Sequence, residues 1–158
     1  MVKGDIKLVV YDFDGVMTDN RVFVNQDGIE SVVCNRGDGL GVSMVKGMLI
    51  PQIILSTETN DVVLQRAKKL GIPAIHGSGD KLQSLSSYCL EKEIRLADVL
   101  YVGNDLNDFE VMGQVGLPVC PADAHEKIRK LSSYVTTARG GEGVVRELAE
   151  WLSIKTDE

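Results

Sequence analysis

Leu8-Val9-Val10-Tyr11-Asp12-Phe13-Asp14-Gly15-Val16-Met17-Thr18-Asp19 is the stretch whose reading decides the fold. It opens as a short apolar run, the pattern of a buried strand. It then breaks into acid at Asp12, Asp14 and Asp19. Successive side chains on a strand point to opposite faces, so Asp12 and Asp14 project the same way. Two carboxylates side by side at a strand's carboxyl end repel each other, and the pair needs a cation, a shared proton, or both. Gly15 follows where the chain must turn away. A bare Asp-x-Asp serves equally well to close a strand at a turn, so the weight of the reading falls on what matches it downstream.

Outward from that stretch, strand one covers about Lys7 to Tyr11. Arg21–Asn25 and Ile29–Cys34 are β-branched and flank the turn signal Gln26-Asp27-Gly28, which predicts a β-hairpin inserted after strand one. Arg36-Gly37-Asp38-Gly39 reads as a loop, followed by a weak helix from Leu40 to Lys46 that ends near Gly47. Pro51–Leu55 is a second central strand. Asn60 or Asp61 caps a helix running to Leu70, with Gly71 as its C-cap. Pro73–Ile75 is a short strand, and Asp80 caps a helix from Lys81 to about Lys92. Val99–Val102 is a strand that breaks at Gly103-Asn104-Asp105, and a helix follows to Val115. Leu117–Cys120 is strand-like, Ala124–Leu131 helical, and Tyr134-Val135 a short edge strand. After the loop Arg139–Gly143, a last helix from Val144 to Leu152 carries Val144, Leu148 and Leu152 on one stripe. Alternating strands and helices predict an α/β fold with a Rossmann-like, doubly wound parallel sheet, all within one domain spanning residues 1–158. In such sheets the binding crevice lies beyond the carboxyl ends of the strands. Polar breaks fall there three times, at Asp12/Asp14, Ser56/Glu58 and Asn104/Asp105.

The 158 residues carry a net charge of -6. An acidic surface argues against nucleic acid or an anionic membrane as partner. No apolar run approaches membrane-spanning length, and Met1–Asp5 holds no apolar signal core, so the cytoplasm is the expected compartment. Cys34, Cys89 and Cys120 make neither a zinc spacing nor a disulfide framework and read as buried free thiols. His76 and His125 have no ligand partners at useful spacing.

The three polar breaks can together perform phosphoryl transfer. That chemistry needs an in-line nucleophile, cations on the equatorial oxygens and a proton donor for the leaving group. Asp12 can attack to form an aspartyl phosphate, and Asp14 can protonate the departing alkoxide and then activate water. Mg²⁺ takes oxygen ligands, which Asp12, a carbonyl near Asp14, and Asn104 or Asp105 could supply. Ser56 can bond the phosphoryl oxygens and Lys81 adds a positive charge. Taken singly, each of these residues has a plainer role: Ser56 in a turn, Lys81 on a solvated surface, Asp105 and Asp108 favouring a helix N-terminus. Their joint pattern raises the functional reading.

Asp12-Phe13-Asp14-Gly15-Val16, Ser56, Lys81 and Gly103-Asn104-Asp105-Leu106-Asn107-Asp108 resemble, in order, the four motifs of haloacid dehalogenase-like phosphatases. The hairpin, the absence of a large cap, Arg36–Gly41 and Arg139–Glu147 resemble the branch containing 3-deoxy-D-manno-octulosonate 8-phosphate phosphatase. The resemblance implies a capless hydrolase fold and a Mg²⁺-dependent phosphatase acting on a 2-keto-3-deoxy sugar acid phosphate. It makes Asp12, Asp14, Ser56 and Lys81 the catalytic residues and Asp12, Asp14, Asn104 and Asp105 the metal site. It also implies a homotetramer, with the hairpins packed together and a neighbour's tail near Arg139 closing the site. Two positions depart from the pattern. Gly103-Asn104-Asp105 stands where many relatives have Gly-Asp-Asp, which predicts weaker metal binding. Ser56-Thr57-Glu58 stands where octulosonate enzymes often have Thr-Gly-Arg, whereas related nonulosonate 9-phosphate phosphatases carry Glu there with Arg and Lys on the next helix, positions matched by Arg66 and Lys69. The expectation is therefore a nonulosonate 9-phosphate as the favoured substrate and octulosonate 8-phosphate next, with Glu58, Arg66, Lys69 and Arg139 at the sugar. Two rivals stand beside it: an assembly domain partnering a cytidylyltransferase of the sialic-acid type, motivated by Asn104, and a receiver-like phospho-switch, ranked last.

Overall fold

The structure is a computed structural model that describes residues 6–154. Residues 1–5, read above as lacking a signal core, and residues 155–158 lie outside the described residues. Four runs of four residues, each buried throughout, form the centre of the sheet: β1 (Leu8–Tyr11), β4 (Gln52–Leu55), β6 (Val99–Val102) and β7 (Leu117–Cys120). Shorter strands β5 (Ala74–Ile75) and β8 (Tyr134–Val135) close the edges. The order is β5-β4-β1-β6-β7-β8, and every pairing is parallel. A parallel sheet is covered on both faces, which is why its strands read as continuous apolar runs. Within β1, Val9 and Tyr11 enter one core and Leu8 and Val10 the other.

The first core packs against α1 (Gly37–Gly47), α2 (Val62–Leu70) and α6 (Val144–Ser153). The second packs against α3 (Lys81–Glu91), α4 (Phe109–Met112) and α5 (Glu126–Leu131). The chain leaves β1 toward β4 and β5, then returns to β6 on the other side. The winding therefore reverses at β1 and β6, which places a crevice beyond their carboxyl ends.

Helix caps explain several boundaries. Asp80 accepts the Gln83 N–H at 2.9 Å to start α3. Asn60 accepts the Val62 N–H at 3.0 Å ahead of α2, and Gly71 ends that helix in the left-handed conformation (φ 69°). His125, which sequence left without a role, begins α5 by accepting the Lys127 N–H on Nδ1. Cys89 and Cys120 are buried thiols, while Cys34 is half-buried.

Three boundaries depart from expectation. The expected loop Arg36–Gly39 is already the first turn of α1, because Asn35 Oδ1 accepts the Gly37 N–H at 2.7 Å and Gly41 lets α1 lie against α6. The helix expected after Asp105 and running to Val115 is a 3-10 turn, Leu106–Asp108, followed by the four residues of α4. Asp108 is drawn inward by several donors, and that tightens the winding there. The hairpin is also shorter than expected. Only β2 (Phe23–Val24) and β3 (Glu30–Ser31) pair, and Cys34 instead bridges to Thr18.

A Cβ on Gly41 would stand 2.6 Å from the Val145 carbonyl oxygen and 2.8 Å from Arg146 Cα, so α1 and α6 touch backbone to backbone. Gly41→Ala forces them apart and should cost about 1–3 kcal/mol of stability, as overpacking does. Gly47→Ala, where nothing lies within 4 Å, should be neutral or stabilising by about 0.5–1 kcal/mol. Urea denaturation of both variants checks this; a Gly41→Ala midpoint equal to wild type refutes the close contact.

Candidate active site

Three strand ends meet at one cavity of about 370 Å³, lined by Asp12, Asp14, Ser56, Thr57, Asn104 and Asp105 among others. Asp12 directly follows β1, and its N–H donates to the Val102 carbonyl at 2.9 Å. Ser56 follows β4 and donates its N–H to Ile75 at 2.8 Å. Asn104 follows β6. The cavity adjoins a second one of about 470 Å³, with which it shares Thr57, Leu106 and Asn107.

At its floor a single ammonium serves two carboxylates. Lys81 Nζ lies 2.9 Å from Asp12 Oδ1 and 2.7 Å from Asp108 Oδ1, and all three residues are buried. Asp108 also accepts the Tyr101 hydroxyl at 2.8 Å and the Asn104 N–H at 2.9 Å. Burial alone would lower the Lys81 ammonium, but Asp12 and Asp108 more than offset it and hold it charged. One cation against two anions leaves a net negative charge out of water, which is costly unless it is compensated. Burial, then Asp108, pushes the Asp12 carboxyl well above its ordinary value, against the pull of Lys81. Sequence reading gave Asp108 only a helix-terminus role. Its one signal was its place in Gly103–Asp108, four residues after Asn104.

Asp14 is half-buried and accepts the Thr18 hydroxyl at 3.4 Å. Burial and then Glu58 raise its carboxyl above the usual range, while Thr18 and Lys81 work against them. Gly15 makes the turn with φ 80°, and a Cβ there would stand 1.9 Å from the Asn104 amide nitrogen.

The Asn104 side chain tests whether a divalent cation fits. One end of its amide sits 3.0 Å from the Asp14 carbonyl oxygen and 3.1 Å from Asp12 Oδ2. With nitrogen at that end it donates to both. With oxygen there, three oxygens converge, from a carboxylate, a main-chain carbonyl and an amide. Ligands about 2.1 Å from an octahedral Mg²⁺ lie about 3.0 Å from one another at right angles, so the spacing fits. Among the described residues no cluster of three His, Cys, Asp or Glu side chains offers a metal site; only one of these three oxygens comes from such a side chain. Asp105 lines the cavity but turns its Oδ1 to the Leu106 N–H at 2.7 Å.

The residues expected at the sugar scatter. Glu58 stays near Asp14 but binds the Asn60 N–H through Oε1 at 2.8 Å. Arg66 forms no ion pair with Glu58: its Nη2 donates to the Asn35 carbonyl at 2.8 Å and its Nε is buried without a partner. Lys69 is exposed on α2 and Arg139 is exposed beside Asp123, 3.6 Å away. None of Arg66, Lys69 and Arg139 lines the cavity. Ser56 accepts the Glu58 N–H at 3.1 Å, leaving its own hydroxyl hydrogen for a ligand.

The haloacid dehalogenase-like hydrolase family matches residues 51–148. The 3-deoxy-D-manno-octulosonate 8-phosphate phosphatase of Yersinia pestis is 34% identical over 156 residues, 98% of this chain and 83% of that protein. Among solved structures, a proposed hydrolase of the same superfamily from Streptomyces avermitilis superposes with a TM-score of 0.92 at 46% identity, covering 96% of this chain and 87% of that one. The octulosonate 8-phosphate phosphatase of Moraxella catarrhalis, solved with magnesium, phosphate and the sugar acid, gives 0.91 at 34% identity, covering 95% and 87%. These relatives overturn two expectations. The Yersinia pestis and Moraxella catarrhalis proteins are octulosonate phosphatases, which removes the preference for a nonulosonate 9-phosphate and the alternative of a cytidylyltransferase assembly domain. Among the described residues no helix is long and apolar enough to cross a membrane.

The buried charge sets a pH dependence. Without a cation, folded Asp12 keeps its proton to higher pH than the unfolded chain, whose carboxyl titrates at its ordinary 3.8. Above that value the folded state binds more protons, so its stability falls as pH rises. In chelator, wild-type stability should drop by about 1–2 kcal/mol between pH 6 and 8, and Asp12→Asn should flatten that slope. Urea titrations at both pH values check this; equal slopes refute the assignment.

Proposed function

Because the chain belongs to the haloacid dehalogenase-like hydrolases, in the branch of the 3-deoxy-D-manno-octulosonate 8-phosphate phosphatases, and is a phosphoric monoester hydrolase, we propose that it hydrolyses 3-deoxy-D-manno-octulosonate 8-phosphate. The observation that carries the reading is the buried Asp12, held by Lys81, beside the Asp14 carbonyl and the Asn104 side-chain amide beyond the ends of β1 and β6.

Asp12 is the nucleophile. Its carboxylate attacks phosphorus while the ester P–O bond breaks, and Asp14 gives its proton to the departing 8-alkoxide. Asp14, now a base, takes a proton from the water that attacks the aspartyl phosphate. Inorganic phosphate leaves and Asp12 is restored. A raised carboxyl suits Asp14, which must arrive protonated. Ser56 donates its hydroxyl hydrogen to a phosphoryl oxygen, and Lys81 holds Asp12 oriented and offsets charge. Mg²⁺, held by Asp12, the Asp14 carbonyl and Asn104, with Asp105 at the rim, would neutralise charge on the transferring group. Asn104 brings no charge of its own to that set. Phosphate release from octulosonate 8-phosphate should require Mg²⁺ and stop in chelator. Asp12→Asn should abolish it and Asp14→Asn should lower it by about 10²–10⁴-fold. Retained turnover in Asp12→Asn refutes the covalent route. No turnover of this substrate by wild type, with other sugar phosphates cleaved, refutes the substrate.

The assembly is a homo-oligomer built on the hairpin, a homotetramer as the resemblance implies. Val22, Phe23, Val24, Ile29 and Val33 are exposed on a ribbon whose strands pair over two residues each, and such ribbons are marginal alone. Sedimentation should show a species several times the 17.2 kDa chain, and Phe23→Glu should shift it toward monomer. A fully active wild-type monomer at micromolar concentration refutes this.

A further inference from the structure

The segment Arg139–Glu147, which carried part of the resemblance, has no role in the chemistry above. Its last residue, Glu147 on α6, is a half-buried carboxylate with four donors: the Tyr134 hydroxyl at 2.9 Å, the Thr137 N–H at 2.7 Å, the Thr137 hydroxyl at 3.1 Å and the Ala138 N–H at 2.7 Å. Burial works to raise this carboxyl, but these donors more than offset it and keep it ionised below its usual range. α6 itself is anchored against α1 at Gly41, so the acceptor stands on a rigid base.

What Glu147 holds is a glycine loop pressed on the catalytic turn. The Gly141 N–H donates to the Val16 carbonyl at 3.0 Å, and the Gly140 N–H to Asp123 Oδ1 at 2.9 Å. A Cβ on Gly140 would stand 2.2 Å from the Gly15 carbonyl oxygen, and one on Gly141 2.6 Å from the Asp19 nitrogen. The two backbones are therefore in direct contact, and only glycine permits it. Within the same turn, Thr18 Oγ accepts the Gly15 N–H at 3.2 Å and donates to Asp14 Oδ1 at 3.4 Å. The carboxyl of Asp14 is thus placed by a turn that is itself backed by the glycine loop.

We propose that Glu147 is a positioning residue for phosphoryl transfer: it clamps residues 137–138 to α6, seats Gly140 and Gly141 against the Gly15–Thr18 turn, and so aims Asp14 at the leaving oxygen. The inference rests on Asp14 serving as the acid in the reading above. It concerns the step in which Asp12 attacks phosphorus, the ester bond breaks and the Asp14 proton passes to the alkoxide. An aryl phosphate such as p-nitrophenyl phosphate expels a stable phenolate and needs little of that proton, so the two leaving groups separate aim from general damage.

The experiment measures kcat/KM, which reports the step that expels the alcohol, for an alkyl phosphate the wild type hydrolyses (octulosonate 8-phosphate on the reading above) and for p-nitrophenyl phosphate. In Glu147→Gln an amide nitrogen faces a donor where a carboxylate oxygen stood. The alkyl substrate should lose about 10–100-fold, the aryl substrate less than about 3-fold, and Mg²⁺ affinity by calorimetry should hold. Gly140→Ala, which crowds the Gly15 carbonyl directly, should give the same split. Asp14→Asn is the reference: if it shows no split, the acid role fails and takes the proposed mechanism with it. If Asp14→Asn splits the substrates and the other two variants lower both in parallel, or neither, the positioning role alone is overturned. Loss of the folded state in both would make the loop a stability element and overturn it as well.

Discussion

One ammonium between two buried carboxylates is the interaction on which this molecule depends. Lys81 bridges Asp12 and Asp108, and through them ties the ends of β1 and β6 to the start of α3. The geometry is favourable but the charge does not balance. Removing three charged groups from water is repaid only when their partners are complete, and here one negative charge is left over. That residue of charge gives the site its appetite for a cation or a proton. It also explains why Asp108 is wrapped by Tyr101 and by the Asn104 N–H, since each donor spreads a charge that solvent cannot reach. The cost in stability and the capacity for chemistry have the same origin.

The sheet's winding makes that arrangement available. Parallel strands deliver their carboxyl ends to one edge, and the reversal between β1 and β6 opens a crevice there. The acids occupy it because they follow the strands directly, with no intervening loop to blur their positions. The backbone of residues 140–141 packs directly on the catalytic turn, leaving no room for a Cβ. Rigidity on that side is supplied by α6, whose contact with α1 leaves no room for a Cβ at Gly41.

Selectivity has a different character from the chemistry. Lys81 reaches Asp12 and Asp108 beneath the site, but among the described residues no Lys, Arg or His lines the reaction cavity itself. Past Thr57 and Leu106 the adjoining cavity continues the space beyond the acids. Glu58, the residue that invited a nonulosonate substrate, is engaged with Asn60 and acts on Asp14 through its charge.

Strand periodicity, helix caps and the acid at each strand end are local properties, and the sequence by itself determined them. The parallel sheet, Asp80 and Gly71 at their helix termini, and Asp12, Asp14, Ser56 and Asn104 at one edge were legible from spacing alone. Only the tertiary structure decided which charge meets which. Asp108 stands 27 residues from Lys81, and no spacing rule links them; the pairing exists because α3 and the end of β6 close on the same floor. Arg66 was legible as a cation on the right helix, but its direction depends on the Asn35 carbonyl, 31 residues away, which takes its guanidinium. The first turn of α1 read as a glycine loop because, beside the local Asn35 cap, its support is contact with α6 across more than a hundred residues, which local propensity does not show. Side-chain alternation and capping act over a few residues and survive in the sequence, whereas the partner of a buried charge is chosen by the closure of the whole chain.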